Sequence, residues 1–262
     1  MKVIVCIKQV PETTEVKINP ETNTLIREGV ASIINPFDMY AIEEAIRLKE
    51  RYGVQTFVIT MGPPQAESAL REALSMGIDE AIHLSDKAFA GSDTWATSLV
   101  LAKAIEKIGN YDLIICGKQA SDGDTAQVGP GIATHLNLPQ ATYVRKIDSI
   151  DGKNKIMRVE RLLEDGYEIL EVFLPALITV VKEINEPRLP SLRGKLRAKK
   201  QAISVWAHTD LGLKEEEVGL SGSPTQVVKI FTPPPRPKGA IFEGEPEECV
   251  DKLVEKLKTH IL

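Results

Sequence analysis

The chain has 262 residues, of which 43% are apolar, and this is enough to bury a full core in one large or two small domains. Its net charge of −5 argues against a nucleic-acid partner, and no apolar stretch approaches the roughly 20 residues that membrane insertion needs. The first five residues already have a strand pattern and leave no room for a cleavable signal, so we expect a cytoplasmic protein.

Strand-like and helix-like segments alternate over the first half of the chain. Runs with the length and composition of buried strands occupy Val3–Ile7, Thr56–Met61, Ala81–Leu84 and Leu113–Cys116. Segments with helical spacing occupy Tyr40–Tyr52, Ala66–Met76, Thr94–Ile108 and Thr125–Leu136. This alternation predicts an α/β fold with a doubly wound, mostly parallel sheet and helices on both faces.

The second half of the chain is less regular. From Tyr143 to Val181 the period shortens to that of strands, and Asp151-Gly152 and Asp165-Gly166 are turn signals, so we expect a hairpin extension of the same sheet. The pattern weakens after Pro187, where a basic run continues to Lys200. Such a run is typical of either a solvated face or a docking surface for an acidic partner.

The carboxyl end combines a proline-rich stretch with a short amphipathic segment. Residues 233–237 predict an extended, semi-rigid connection. Pro246–Leu262 predicts a helix. One face of this helix carries Val250, Leu253, Val254 and Leu257. A short helix beyond such a tether needs a surface to pack on, either its own domain or a partner.

We predict no catalytic residue and no metal site. The four histidines lie in unrelated segments, and Cys6, Cys116 and Cys249 lack the spacing of metal ligands. Cys6 and Cys116 lie inside strand patterns, where reduced cysteine packs as a small apolar group. Redox chemistry would therefore have to come from a bound cofactor.

A polar segment that contains glycine, Gly117–Pro130, follows the strand pattern of Leu113–Cys116 and leads into a helical pattern. In open α/β sheets such a junction binds phosphate groups, because unpaired backbone N–H groups and the positive end of the helix dipole face the ligand. Thr125 and Gln127 add neutral donors. The segment has neither the GxGxxG spacing nor the Gly-Lys-Ser/Thr of a P-loop, so it predicts a nucleotide site of another type.

Blocks along the whole chain resemble the β subunit of electron-transfer flavoproteins, and Gly117–Pro130 resembles that family's adenine-nucleotide-binding loop. The other matching blocks are Val5–Pro11, Asn35–Asp38 with Ala41–Ala45, Val159–Thr179 and Asn185–Arg188. The resemblance implies an adenine nucleotide α-hydrolase-like fold, with residues 1–186 as the nucleotide-binding domain. It further implies a partner recognition loop at 187–200, an irregular connection at 201–232 and an arm at 233–262 that packs on the α subunit.

The resemblance also implies one crevice at the carboxyl ends of the strands. Cys6 and Met61 would pack beside the adenine, and Asn35 with the Phe37 backbone would bind its polar edge. Backbone N–H groups between Gly123 and Val128 would hold a diphosphate. The cofactor-binding candidates are Cys6, Asn35, Pro36, Phe37, Asp38, Met61, Thr94, Thr97, Gly117, Lys118, Gln119, Ala120, Ser121, Asp122, Gly123, Asp124, Thr125, Ala126, Gln127 and Val128.

The two aspartates of the loop need roles away from the phosphates, because carboxylates repel them. We expect Asp124 to be a helix N-cap and Asp122 to make a ribose or turn hydrogen bond. A third aspartate, Asp93, belongs to the block Phe89–Thr97, which is similar to the family's electron-bifurcating branch and would form the wall beside a flavin ring. Asp93 or Ser92 could cap the helix that follows.

The family holds FAD at this site in the bifurcating branch and a structural AMP in the simple carriers. The small residues Gly123 and Ala126 resemble the bifurcating loop and leave space for a ribityl chain. Thr94 and Thr97 lie one helical turn apart and would line the wall beside the flavin ring. We therefore predict FAD, with AMP as the alternative.

With FAD, the resemblance implies that NADH gives a hydride to this site. One electron would pass to ferredoxin or flavodoxin, and one through the FAD of the α subunit to an acyl-CoA-type dehydrogenase or quinone acceptor. With AMP, the β subunit would only stiffen the heterodimer. A nucleotide-responsive stress protein is a third possibility, against which Val159–Thr179 counts. The dehydrogenase would dock on Leu192, with Arg188 and Arg193 beside it.

Overall fold

The computed structural model describes residues 1–12, 17–18, 25–26, 31–229 and 239–261. It divides into two compact units, Met1–Val228 and Lys229–Leu262. The first unit contains the main sheet and most of the helices. The extended connection predicted at residues 233–237 lies outside the described residues.

The elements of the described part follow the predicted order. The strands are β1 (Lys2–Cys6), β2 (Gln9–Pro11), β3 (Lys17–Ile18), β4 (Leu25–Ile26), β5 (Ser32–Ile34), β6 (Gln55–Met61), β7 (Glu80–Leu84), β8 (Leu113–Gly117), β9 (Gln140–Asp151), β10 (Ile156–Leu162), β11 (Tyr167–Phe173), β12 (Ala176–Val180) and β13 (Ser204–Trp206). The helices are α1 (Pro36–Tyr52), α2 (Glu67–Met76), α3 (Thr94–Ile108), α4 (Val128–His135), α5 (Leu192–Lys200) and α6 (Pro246–Ile261).

The main sheet has the strand order β11-β10-β9-β12-β8-β1-β6-β7-β13. In this spatial order, each strand from β9 through β12, β8, β1, β6 and β7 to β13 runs parallel to its neighbour. On the other side of β9, strands β10 and β11 continue the sheet in antiparallel pairs. The predicted mostly parallel sheet with a hairpin extension is thus confirmed. The chain builds β6 and β7 on one side of β1 and returns to β8 on the other, so a topological switch point lies between β1 and β8.

Alternate residues of β1 face two different helix layers, as the pleat of a strand requires. Val3 and Val5 pack in a core with α1 and α2, whereas Ile4 and Cys6 pack in a second core with α3 and α4. Strands buried on both faces must be apolar along their length, which explains the continuous apolar runs of the sequence. The predicted helices on both faces are therefore observed.

Helix α1 begins and ends at residues that suit a helix terminus. Pro36 occupies the first turn, where the missing N–H would have no partner in the helix. Gly53 ends the helix with a φ of 65°, and its N–H donates to the Lys49 carbonyl at 2.8 Å. The helix therefore starts directly after Asn35, beside the carboxyl ends of β1 and β8.

Residues 187–229 are more regular than the predicted loop and the described part of the predicted irregular connection. Helix α5 occupies most of residues 187–200. Ala198 is its one buried residue, so its sequence has only a weak hydrophobic periodicity. Strand β13 pairs in parallel with β7 at the sheet edge, with Val205 opposite His83. A strand of three residues carries too few positions for its alternation to be recognised.

Helix α6 has the predicted apolar face. Its members Val250, Leu253, Val254 and Leu257 are between 43% and 56% exposed. Within the described residues, no helix combines the length and apolar character that a membrane crossing requires.

Candidate nucleotide-binding site

A cavity of about 350 Å³ lies at the carboxyl edge of the sheet, where β1 and β8 end. Its walls also include the first turns of α1 and α3 and residues 118–127, here called the β8–α4 loop. Of the predicted candidates, those that line it are Cys6, Asn35, Asp38, Met61, Thr94, Thr97, Gly117, Lys118, Gln119, Ala120, Gly123, Thr125, Ala126, Gln127 and Val128. The structure therefore brings candidates from several separate segments together around one cavity, and their contacts with a ligand stay predictions.

The start of α1 holds the β8–α4 loop in place through one buried side chain. Asn35 is 1% exposed, and its Nδ2 donates to the Gln119 carbonyl at 2.8 Å. Its Oδ1 accepts from the Ser121 N–H at 3.0 Å. Because one carboxamide satisfies both a carbonyl and an N–H group, it fixes the path of the loop backbone. The predicted adenine contact of Asn35 stays a prediction.

Asp38 connects the same helix turn to the chain that leaves β1. Its buried carboxylate accepts from the Lys8 N–H at 2.7 Å, and its Oδ1 lies close to Gly117 at the end of β8. A Cβ at Gly117 would overlap Asp38 Oδ1 and lie 2.7 Å from the Phe37 carbonyl carbon, so only glycine fits there. Burial raises the pKa of Asp38 to about 7, and the hydrogen bonds that it accepts offset only part of this effect.

The β8–α4 loop carries backbone N–H groups that have no protein acceptor within the described part of the chain. They belong to Gly123, Thr125, Ala126 and Gln127, and Val128 and Gly129 add two more at the start of α4. Ala126 has a left-handed φ of 54°, and Gln127 follows with φ −100° and ψ −25°. Such a pair makes successive N–H groups converge into an anion-binding concavity.

Helix α4 begins at Val128 and not at Thr125, which corrects the predicted boundary. Asp124 and Ala126 have left-handed backbones, with φ of 55° and 54°, and a right-handed helix cannot begin there. No side chain caps α4, because Gln127 at the N-cap position makes no such bond. The first N–H groups of the helix therefore remain available to a ligand.

The carboxylates of the loop have protein partners. Asp122 binds Lys8 Nζ at 2.6 Å and 2.8 Å, so its charge is neutralised, and its predicted ribose contact stays a prediction. Asp124 accepts from Gln119 Nε2. The predicted N-cap role of Asp124 is wrong, because α4 begins only at Val128.

Two cysteines form part of the cavity floor. Cys6 and Cys116 are register partners on β1 and β8, and both are buried. A hydrogen bond with Cys116, burial and the nearby charge of Asp38 raise the pKa of the Cys6 thiol well above its usual value. Cys6 therefore stays protonated and packs as a small apolar group.

The first turn of α3 forms the wall that faces the loop. Asp93 caps α3 by accepting from the N–H groups of Trp95 and Ala96, so the alternative role that we gave this block is confirmed. Thr94 Oγ1 lies 3.1 Å from Gln127 Oε1 and joins the wall to the loop. Thr97 lines the cavity one turn further along.

Some candidates lie behind the lining, and some lining residues were missed. The candidates outside the lining are Pro36, Phe37, Ser121, Asp122 and Asp124. The lining residues that the sequence did not assign to the site are Ile7, Lys8, Leu101, Cys116 and Gly129. Ser92 and Asp93, which also line the cavity, belong to the block that was expected to form the wall beside the flavin ring. Lys8 and Cys116 lie at strand ends, and the rule that selected Cys6 could have found them.

The three docking candidates differ in their surroundings. Leu192 is 76% exposed, and Arg193 is exposed beside it at the start of α5. The Arg188 guanidinium binds Glu43 at 2.8 Å and Glu50 at 2.5 Å. Burial alone would raise the pKa of Glu43, but Arg188 and other donors hold it below its usual value. Arg188 therefore anchors the segment to α1, and its partner contact stays a prediction.

Helices α2 and α5 hold each other through two arginines. Arg71 on α2 donates to the carbonyls of Ala198 and Gln201, each at 2.6 Å. Arg197 on α5 donates to the Leu74 carbonyl at 2.8 Å and to the Ile78 carbonyl at 3.2 Å. Each arginine satisfies carbonyl groups that have no partner at the end of the other helix.

A family model described as "Electron transfer flavoprotein domain" matches residues 22–211 of the chain. The electron transfer flavoprotein subunit beta of Thermoanaerobacterium thermosaccharolyticum is 55% identical, over 100% of both chains. The caffeyl-CoA reductase-Etf complex subunit CarD of Acetobacterium woodii is 52% identical, also over 100% of both chains. Protein FixA of Azotobacter vinelandii is 47% identical, over 99% of this chain and 95% of its own. The chain therefore belongs to the electron-transfer flavoprotein family, as a β subunit that works in electron transfer.

Proposed function

We propose that the cavity binds FAD and that the chain is a β subunit of the electron-bifurcating type. The observation that carries this proposal is the β8–α4 loop, whose converging N–H groups border a cavity at the switch point of the sheet. A diphosphate suits these donors, because its oxygens can accept several N–H groups at once.

The charges around the loop support the same ligand. Lys8 neutralises Asp122, and Lys118 lines the cavity with no acidic partner in the described part of the chain. A cation without a carboxylate partner attracts phosphate. Around Gly123, an added Cβ would meet no atom within 4 Å, so a ligand can approach the backbone closely there.

The choice between FAD and AMP depends on two observations. The small residues Gly123 and Ala126 resemble the bifurcating loop and support FAD. The cavity volume of about 350 Å³ is at the lower end of the roughly 300–1,000 Å³ of ligand pockets and favours AMP, the second candidate. With FAD, the adenine half would fill the enclosed space, and the flavin ring would extend past Thr94 and Thr97.

When bound, FAD would supply hydride acceptance from NADH and the separate release of two electrons, which no side chain can perform. The residues of the chain hold and orient it: Asn35 and Asp38 fix the β8–α4 loop, whose N–H groups bind the diphosphate. The acceptors that we propose are ferredoxin or flavodoxin and, through the α-subunit FAD, an acyl-CoA-type dehydrogenase or a quinone. The relative CarD is named as a subunit of a caffeyl-CoA reductase-Etf complex, and this supports an acyl-CoA-type partner for the present chain.

We propose that α5 presents the docking surface for that dehydrogenase. Leu192 and Leu196 lie one helical turn apart and are 76% and 56% exposed, and Leu189 precedes them at 90%. Exposed Arg193 adds a charged rim to this apolar stripe. A central apolar anchor with a charged rim gives a transient interface specificity without a large area. For the apolar face of α6, we propose packing on the α subunit.

The visible absorption of the purified αβ heterodimer tests the cofactor proposal. FAD at this site predicts two flavins per heterodimer, whereas AMP predicts one flavin and one AMP. Thr125→Asp adds a negative charge among the diphosphate donors and is expected to remove the β nucleotide while the α flavin remains. Ser149→Asp makes the same change in charge at an exposed position of β9 and is the control. Equal nucleotide content in the two variants would contradict the role of the loop.

A further inference from the structure

Asp93 uses one carboxylate for two tasks. Its Oδ1 accepts from the N–H groups of Trp95 at 2.9 Å and Ala96 at 3.0 Å and so caps α3. Its Oδ2 accepts from the Thr225 N–H at 3.0 Å and from Thr225 Oγ1 at 2.7 Å. Asp93 also lines the cavity. A residue of the cavity wall therefore holds a segment that is distant in sequence.

Residues 219–225, here called the strap, lie directly against the backbone that precedes α3. The Leu220 N–H donates to the Ala90 carbonyl at 3.0 Å, and the Asp93 N–H donates to Ser223 Oγ at 2.8 Å. Together with the two bonds from Thr225 to Asp93, these contacts fix both ends of the strap. Of the two partners of the strap in these contacts, Asp93 lines the cavity, and Ala90 lies shortly before it in the chain.

Gly219 allows the strap to approach this closely. Its φ is 60°, and a Cβ there would overlap the Ala88 carbonyl oxygen. The chain continues from the strap to Lys229, where the second compact unit begins. The strap is therefore the last fixed segment of the first unit before the chain enters the unit that contains α6.

We propose that Asp93 is a positioning residue that couples nucleotide occupation of the cavity to the order of the strap. This inference rests on the nucleotide binding proposed above. A ligand that contacts Ser92, Asp93 or Thr94 stabilises the capped start of α3, and with it the carboxylate orientation that Thr225 requires. Because coupling between two sites is reciprocal, an ordered strap must also strengthen nucleotide binding.

Hydrogen exchange of the αβ heterodimer, with the β nucleotide removed and then restored as FAD or AMP, tests the coupling. We expect the Thr225 amide to exchange about tenfold more slowly after nucleotide addition. Thr225→Val removes the Oγ1 donor and keeps the side-chain shape, whereas Thr225→Ser keeps the donor. Thr225→Val is expected to weaken nucleotide binding about fivefold to tenfold in calorimetry, and Thr225→Ser is expected to bind as the wild type does.

Three results would overturn the inference, and they can be told apart. Nucleotide binding with unchanged exchange of the strap would remove the coupling and leave the nucleotide site intact. Equal affinity in Thr225→Val and Thr225→Ser would do the same. If neither FAD nor AMP bound to the wild type, the proposed function and the coupling would both be wrong. The wild-type exchange measurement decides by itself if the valine variant does not fold.

Discussion

Replacement of Gly117 by alanine is expected to destabilise the fold and the candidate nucleotide site together. The added Cβ would overlap Asp38 Oδ1 and would lie 2.7 Å from the Phe37 carbonyl carbon and 2.9 Å from the Asp38 nitrogen. Two of these atoms belong to the backbone of α1, so the helix has to move away from β8. This movement would stretch the hydrogen bond that Asp38 accepts from the Lys8 N–H.

The expected loss of stability has two parts. Overpacking of a filled interior costs about 1–3 kcal/mol. A buried polar group left without its partner costs about 1–3 kcal/mol more. At roughly 2–4 °C per kcal/mol for a domain of this size, Gly117→Ala should lower the Tm by about 5–20 °C.

Thermal unfolding of the nucleotide-free chain, followed by circular dichroism, measures this change. Gly123→Ala is the matched control, because a Cβ at that loop position would meet no atom within 4 Å. We expect Gly123→Ala to change the Tm by no more than about 2 °C, as surface substitutions usually do. If both variants unfolded at the same temperature, the close approach of α1 to β8 would not be a constraint on the fold.

Three further predictions concern pH, docking and the arm. The pKa of the Asp38 carboxyl is raised from 3.8 to about 7 in the folded chain, so protonation of this group stabilises the folded state. This contribution to stability is complete below about pH 4 and is lost as the pH rises through 7. Wild type should therefore lose about 3 kcal/mol relative to Asp38→Asn between pH 4 and pH 7 in urea titrations, and a constant difference would contradict the shift. Leu192→Ala should slow electron delivery to the dehydrogenase several-fold in stopped-flow measurements while NADH reduction keeps its rate, and Leu163→Ala, an exposed leucine elsewhere, should change neither. Removal of residues 233–262 should weaken the heterodimer in size-exclusion chromatography and leave the Tm of the remaining β chain nearly unchanged; an intact heterodimer would mean that α6 does not pack on the α subunit.

The sheet could be predicted because its order depends on apolar residues in regular positions. Every residue of β8 up to Cys116 is buried, and such a run stands out in a sequence. Helix α5 was missed for the opposite reason. It is held by hydrogen bonds from Arg71 and Arg197 and by the close approach of Gly194 to Ser75, none of which has a hydrophobic period.

At the candidate site, the sequence identified the loop but not the way in which it is fixed. Asn35 was given an adenine contact because the resemblance implies one, and this contact stays a prediction, whereas Asp124 was given a capping role because aspartate often caps helices. In the structure Asn35 binds the loop backbone, and Asp124 has a left-handed backbone that comes before the helix starts. Which polar side chain meets which backbone group depends on the path of the loop in three dimensions, and a linear pattern does not contain it.

If α5 is the docking surface proposed above, the arginine pair between α2 and α5 has a consequence for the speed of partner exchange. A recognition segment that orders only on contact loses conformational entropy at that moment, which weakens binding and slows productive encounters. Arg71 and Arg197 fix α5 in the free chain, so its exposed leucines would not have to be ordered if α5 is the docking surface proposed above. A small contact can then form at nearly every well-oriented collision and still dissociate quickly. Rapid turnover of partners suits a subunit that works in electron transfer.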